Sequence, residues 1–200
     1  EVERGLPVVF VDRPPRRRAG PTVRVANGRG ARDATCHLIA RGHRRIAFLG
    51  DRLGLYTAEE RQRGWSRALR EAGLAADPEL VWRGQADPQQ AELAMAAMLD
   101  LPDPPTAVFA AQNLLTVGVV AALRHRGAGQ RIAVVGFDDL DLAAVVDPPL
   151  TVVAQDPEAI GRIAAEAVFA GLAGTPMTKD VVLPVRLVAR GSGEIPGPLA

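Results

Sequence analysis

Arg131-Ile132-Ala133-Val134-Val135-Gly136-Phe137-Asp138-Asp139 decides the fold: after Arg131, five apolar residues and a glycine run without a polar break and stop at two adjacent carboxylates. Such a run reads as a strand buried on both faces, the habit of parallel sheets. The same design recurs in Arg45-Ile46-Ala47-Phe48-Leu49-Gly50 and in Thr106-Ala107-Val108-Phe109-Ala110-Ala111-Gln112. In open α/β sheets ligands bind outside the carboxyl ends of the strands, so polar groups repeated there point to a small-molecule site.

Strand and helix signals alternate through the rest of the chain. Strands are predicted over Leu6–Val11, Thr22–Ala26, Arg45–Leu49, Leu80–Arg83, Ala107–Ala111, Ile132–Phe137, Leu150–Ala154 and Val181–Val188. Helical spacing covers Asn27–Arg41, Glu59–Glu71, Gln89–Leu99, Leu114–Arg126 and Glu158–Ala173. Asp87-Pro88 and Asp156-Pro157 each give an N-cap followed by proline at the first helical position, and Gly42 and Gly127 supply stops. Asp147-Pro148-Pro149 forbids regular structure. Regular βαβα alternation predicts a parallel sheet with helices on both faces.

Composition narrows the class. Two hundred residues, 48% apolar and 24% charged, can bury a substantial core and exclude a disordered or fibrous chain. A net charge of +1 is too balanced for a nucleic-acid footprint, and Arg16-Arg17-Arg18, flanked by prolines, reads as a solvated loop. The single cysteine, Cys36, excludes an intrachain disulfide and fits a reducing compartment. No apolar run approaches the ~18 residues of a membrane span. The opening Glu1-Val2-Glu3-Arg4-Gly5-Leu6-Pro7 leads directly into an apolar strand and reads as a start internal to a fold.

Several side chains stand out as ligand candidates. Stepping by three and four from Arg61 gives Trp65, Ala68, Leu69 and Ala72, so Arg61 shares the core-facing stripe of its helix, near the first turn. A guanidinium there must bond to a carboxylate, to carbonyls or to a ligand, and an ordinary buried Arg–Asp pair is as good a reading as ligand contact. Of Asp138 and Asp139, one is expected to make a turn or a cap, and the other exceeds that need. A carboxylate in a cleft can accept hydrogen bonds from the hydroxyls of a sugar or ribose. Asp12 ends its strand in the same way, and Gln112 and Gln155 follow strands too, where a loop-bonding role is nearly as good a reading.

Catalytic patterns are missing: there is no phosphate-binding Gly-x-x-x-x-Gly-Lys loop, no Gly-x-Ser-x-Gly elbow and no His-Glu-x-x-His helix. His37, His43 and His125 lack metal-ligand spacing and read as structural or surface residues. Asn27-Gly28-Arg29-Gly30 starts like a dinucleotide fingerprint, but Asp33 stands where its third glycine belongs. Binding without turnover is therefore the expectation, with no enzyme activity, cofactor or metal.

The chain as a whole resembles the effector-binding core of lactose-repressor-family transcription regulators. The likeness is carried by Gly5–Arg13, His37–Gly50, Glu60–Trp65, Pro105–Phe109, Val134–Asp139, Pro148–Val152, Gln155–Pro157 and Arg190–Ser192, in order and over nearly the whole chain. The resemblance implies a periplasmic-binding-protein-like fold of type I: two Rossmann-like parallel-sheet subdomains joined by three crossover strands. Residues 1–26 and 157–178 would form an incomplete amino-terminal subdomain, and 27–155 with 181–192 the carboxyl-terminal one. It further implies a sugar-like or nucleoside-like effector held by Asp12, Arg61, Gln112, Asp138 and Gln155, with Arg61 and Asp138 on one wall and Asp12 on the other. A homodimer in the cytoplasm and operator contact through a headpiece outside this chain also follow from it. Where relatives often carry an aromatic ring after the strand near Gly84, this chain has Ala86, which leaves stacking to Trp65, Tyr56 or Phe137, or to the part of the amino-terminal subdomain expected outside this chain. A transport-type sugar-binding protein of the same fold is the alternative.

Overall fold

The computed structural model describes residues 6–14 and 20–198, so Arg16-Arg17-Arg18 lies outside the described residues. In chain order the elements are β1 (Phe10–Val11), β2 (Thr22–Val25), α1 (Asn27–Ala40), β3 (Ile46–Leu49), α2 (Tyr56–Glu71), β4 (Val81–Trp82), α3 (Pro88–Leu99), β5 (Ala107–Ala110), α4 (Asn113–His125), β6 (Ala133–Phe137), β7 (Thr151–Ala154), α5 (Pro157–Leu172), β8 (Val181–Leu183) and β9 (Arg186–Val188). They form two compact units, the larger from residues 27–154 and 186–198, the smaller from the described part of 1–26 with 155–185.

The larger unit is built on a six-stranded sheet of order β4-β3-β5-β6-β7-β9, parallel throughout except for β9. Strand pleating sends neighbouring side chains to opposite faces, so one apolar run feeds two cores. Ala47, Leu49, Val108, Ala110 and Val134 join Met95, Met98, Leu115 and Val119 of α3 and α4. Phe48 and Phe109, paired in register across β3 and β5, point the other way and pack with Phe137 and with Trp65 of α2. Each helix pair closes on a glycine. A Cβ on Gly64 of α2 would lie 2.2 Å from the Gly28 carbonyl of α1, and one on Gly118 of α4 2.1 Å from the Pro88 carbonyl of α3. Gly28 thus serves helix packing, and the dinucleotide reading of Asn27–Gly30 loses its structural basis, because that segment lies inside α1 against α2.

The smaller unit has a parallel sheet of order β1-β2-β8, with α5 packed on Val23, Val25 and Leu183. The two predicted proline caps form: Asp87 accepts from the Gln90 N–H and Asp156 from the Ala159 N–H. Three predictions are corrected. The strand expected from Leu6 is confined to Phe10–Val11, because the partner strand begins at Thr22 behind Pro21, which has no N–H to extend the ladder. The expected Val181–Val188 strand breaks at Pro184, β8 pairing with β2 and β9 with β7, so residues 181–185 belong to the smaller unit and not with 186–192. Gln155 likewise opens the second segment of the smaller unit. Among the described residues no helix is long and apolar enough to cross a membrane.

Candidate ligand-binding site

At the carboxyl edge of the larger sheet, Arg61 is the organising residue. Its helix starts at Tyr56, earlier than the sequence suggested, so Arg61 sits in the second turn and is only 4% exposed. Burying a guanidinium is costly unless its donors are used. Here Nε donates to Asn27 Oδ1 at 2.8 Å, and Nη1 donates to the Ala111 carbonyl at 2.8 Å. Its planar face lies 3.7 Å from the centre of the Phe137 ring, a cation–π contact shielded from water. Nη1 also stands 3.7 Å from Asp138 Oδ2, an ion pair longer than a direct hydrogen bond.

Asp138 reaches that position through its backbone. It has φ of +73°, left-handed, while its N–H still donates to the Val153 carbonyl at 2.9 Å as the ladder ends. Asp and Asn tolerate this region better than other side chains, and residues held there cluster at functional sites. Asp139 takes the structural share of the pair. It accepts two hydrogen bonds from Arg190, at 2.9 and 2.7 Å, and one from the Leu140 N–H. The Arg190 hydrogen bonds hold its carboxyl below the usual carboxylate range, with partial burial opposing them.

Gln112 caps the front of α4 by position only. Its carbonyl accepts from the Thr116 N–H and hydroxyl, its side chain makes no cap bond, and its Oε1 is buried with no hydrogen-bond partner among the described residues. The structure therefore brings Arg61 and Asp138 together and places Gln112 next to Ala111, whose carbonyl Arg61 holds. Asp12 and Gln155 belong to the smaller unit. Asp12 ends β1 in the left-handed region too, at φ +64°, its N–H bonded to the Val23 carbonyl. Gln155 directly follows β7.

Two of the three rings considered for stacking are already committed. Trp65 is 1% exposed with its ring 5.5 Å from that of Phe48, and Phe137 is covered by Arg61. Tyr56 opens α2 and is only partly buried. The histidines have structural partners: His37 meets Glu194 at 2.8 Å, His125 meets Glu92 at 2.7 Å, and His43 bridges Thr106 and the Ile195 carbonyl. Burial pushes the His43 imidazole below its ordinary pKa, although the bond to Ile195 opposes this. Burial also raises the Cys36 thiol, the opposite of what an activated nucleophile needs.

Sequence reasoning missed Asn27 and Gln85. Asn27 holds the Arg61 Nε from 34 positions away and carries no local signal beyond opening a helix. Gln85 follows β4 as Gln112 follows β5, and its Oε1 is likewise buried without a partner among the described residues. The position just past a strand was the available clue.

The family of periplasmic binding protein-like domains matches residues 35–193. The Escherichia coli K12 protein called HTH-type transcriptional repressor CytR is 35% identical over 71% of this chain, and the chain spans only 42% of that repressor's length. The solved structure of a LacI-family regulatory protein from Chloroflexus aggregans superposes with a TM-score of 0.88 at 29% identity, covering 96% of this chain and 70% of that one. A structure of the transcriptional regulator CelR in complex with cellobiose gives a TM-score of 0.87 at 35% identity, over 95% of this chain and 60% of that one.

Proposed function

Because the chain belongs to the lactose-repressor family and carries its periplasmic-binding-protein-like effector core, we propose that it senses a small hydroxyl-rich effector and passes that signal to operator binding. In this reading Arg61, Asp138 and Gln112 hold the effector at the carboxyl edge of the larger unit's sheet, and Asp12 and Gln155 are proposed as further contacts on the strength of the family resemblance. The observation that carries it is the Arg61–Asp138 pair, in which a buried donor and a partly exposed acceptor stand 3.7 Å apart at the end of a parallel strand. Adjacent hydroxyls of a sugar can accept from the first and donate to the second. That CelR was solved with cellobiose supports a carbohydrate as the class of effector.

Signalling requires that the effector bind one arrangement of the two units more tightly than another, with coupling of about 1–3 kcal/mol. A homodimer and a headpiece outside these 200 residues complete the proposal, in a cytoplasmic regulator without turnover of its own. A thermal-shift screen over pentoses, hexoses, disaccharides and nucleosides tests it. At a concentration 100 times its Kd, a ligand of the folded state alone adds about 2.7 kcal/mol of stability, a clear rise in Tm. A flat response across the whole screen would contradict the reading.

A further inference from the structure

Two buried amide oxygens, Gln85 Oε1 and Gln112 Oε1, lack hydrogen-bond partners among the described residues, and both belong to residues just past strands of one parallel sheet. Gln85 is not on a loose tether. The Gly84 N–H donates to the Asp51 carbonyl at 3.1 Å beyond β3, and the Ala86 N–H donates to Gln90 Oε1 at 2.9 Å on α3, so the backbone on either side of it is pinned. A buried acceptor without a donor is costly, and native structures tolerate it mainly where a ligand or ordered water completes the bond.

The strand order is β4-β3-β5-β6, with Gln85 past β4, Gln112 past β5 and Asp138 past β6. At about 4.8 Å per strand, the outer two of these strand ends are about 14 Å apart, more than one pyranose ring bridges. Between β4 and β5, β3 ends at Gly50, which adds no side chain to divide the edge. At the β6 end the charges of Arg61 and Asp138 offset one another. Directly after Gln85 stands Ala86 and not a ring.

We propose that Gln85 is a specificity residue which extends the site along this edge, and that the effector is a two-ring carbohydrate whose far ring donates a hydroxyl proton to Gln85 Oε1. The proposal rests on the sugar-site reading above and narrows it. Calorimetric titration of the protein with cellobiose, maltose, lactose and sucrose, and with glucose, galactose, fructose and ribose, tests it. At least one disaccharide should bind about ten-fold tighter than either of its component sugars. Gln85→Leu should erase that advantage, while Gln85→Glu, which keeps an acceptor oxygen in place, should retain it. Both variants change a partly buried side chain between two hydrogen-bonded backbone positions, and their melting temperatures report whether they fold. An advantage that survives Gln85→Leu, or component sugars that bind as tightly as the disaccharides, would overturn the role of Gln85 while leaving a sugar site intact. Heat from none of the eight sugars would overturn the sugar reading together with this inference.

Discussion

Arg61 is fixed in place by its own chain: a side-chain carbonyl, a main-chain carbonyl, a carboxylate and a ring hold its guanidinium. Hydrogen bonds to charged groups contribute about 1.5–3 kcal/mol, so Asn27→Ala, which strips the bond from Nε, is expected to lower unfolding stability by about 2 kcal/mol in urea. An unchanged midpoint would show that Asn27 is dispensable for holding Arg61. The pH response has a residue-scale origin as well. Burial lowers the His43 pKa from the usual 6.5, so the unfolded chain binds that proton more readily than the folded one. The stability carried by its neutral ring is therefore complete above pH 6.5 and is lost as the pH falls below it. Denaturant midpoints should drop between pH 7.5 and 5.5 in the native protein and drop less in His43→Gln; equal drops would assign the effect elsewhere. Arg61 was legible from its place on an apolar stripe, since a charge there needs a reason. Asn27 was not, because a contact made across 34 positions leaves no periodic trace.

Among the elements, the helix pairs and the chain end carry the sharpest constraints. Gly64→Ala and Gly118→Ala force a methyl to within about 2 Å of a carbonyl oxygen on the facing helix. Each is expected to cost about 1–3 kcal/mol, whereas Gly129→Ala, with nothing among the described residues within 4 Å, should stay within about 0.5 kcal/mol. Thermal melts of the three variants check the contrast, and equal losses would refute the close-packing account. The closing segment acts as a clasp. Ser192 Oγ accepts from the Thr151 N–H and donates to the Val134 carbonyl, and the Thr151 hydroxyl oxygen accepts from the Arg190 and Gly193 N–H groups. Ser192→Ala leaves a buried N–H and a buried carbonyl short of a partner, an expected loss of about 1–3 kcal/mol that urea unfolding would measure. The central strands β3, β5 and β6 were readable because both of their faces are buried, which writes an unbroken apolar run. Val181–Val188 misled for a related reason: both halves have strand character, and nothing local tells that Pro184 hands the chain from β2 to β7.

For the molecule as a whole, alternation of strands and helices, the buried runs and the positions just beyond them were enough to expect an α/β binder with polar groups at the carboxyl edge of a sheet. The division into two units was implied by the family resemblance and not by periodicity, and residues 155 and 181–185 fall in the smaller unit. What periodicity could not convey is which strand-end side chains are used internally. Asp139 is spent on Arg190, and Trp65 and Phe137 on the core and on Arg61, while Gln85 and Gln112 keep buried oxygens without partners among the described residues. The central claim is that Arg61 and Asp138 recognise the effector. The direct measurement is calorimetric titration with a sugar that stabilises the native protein, carried out on the native chain, Arg61→Ala, Asp138→Ala and the surface control Arg126→Ala. Losing one partner of a ligand-bonded charged pair is expected to weaken binding by about 100-fold or more in the first two variants and to leave the control unchanged. Native affinity in folded Arg61→Ala and Asp138→Ala would contradict the account.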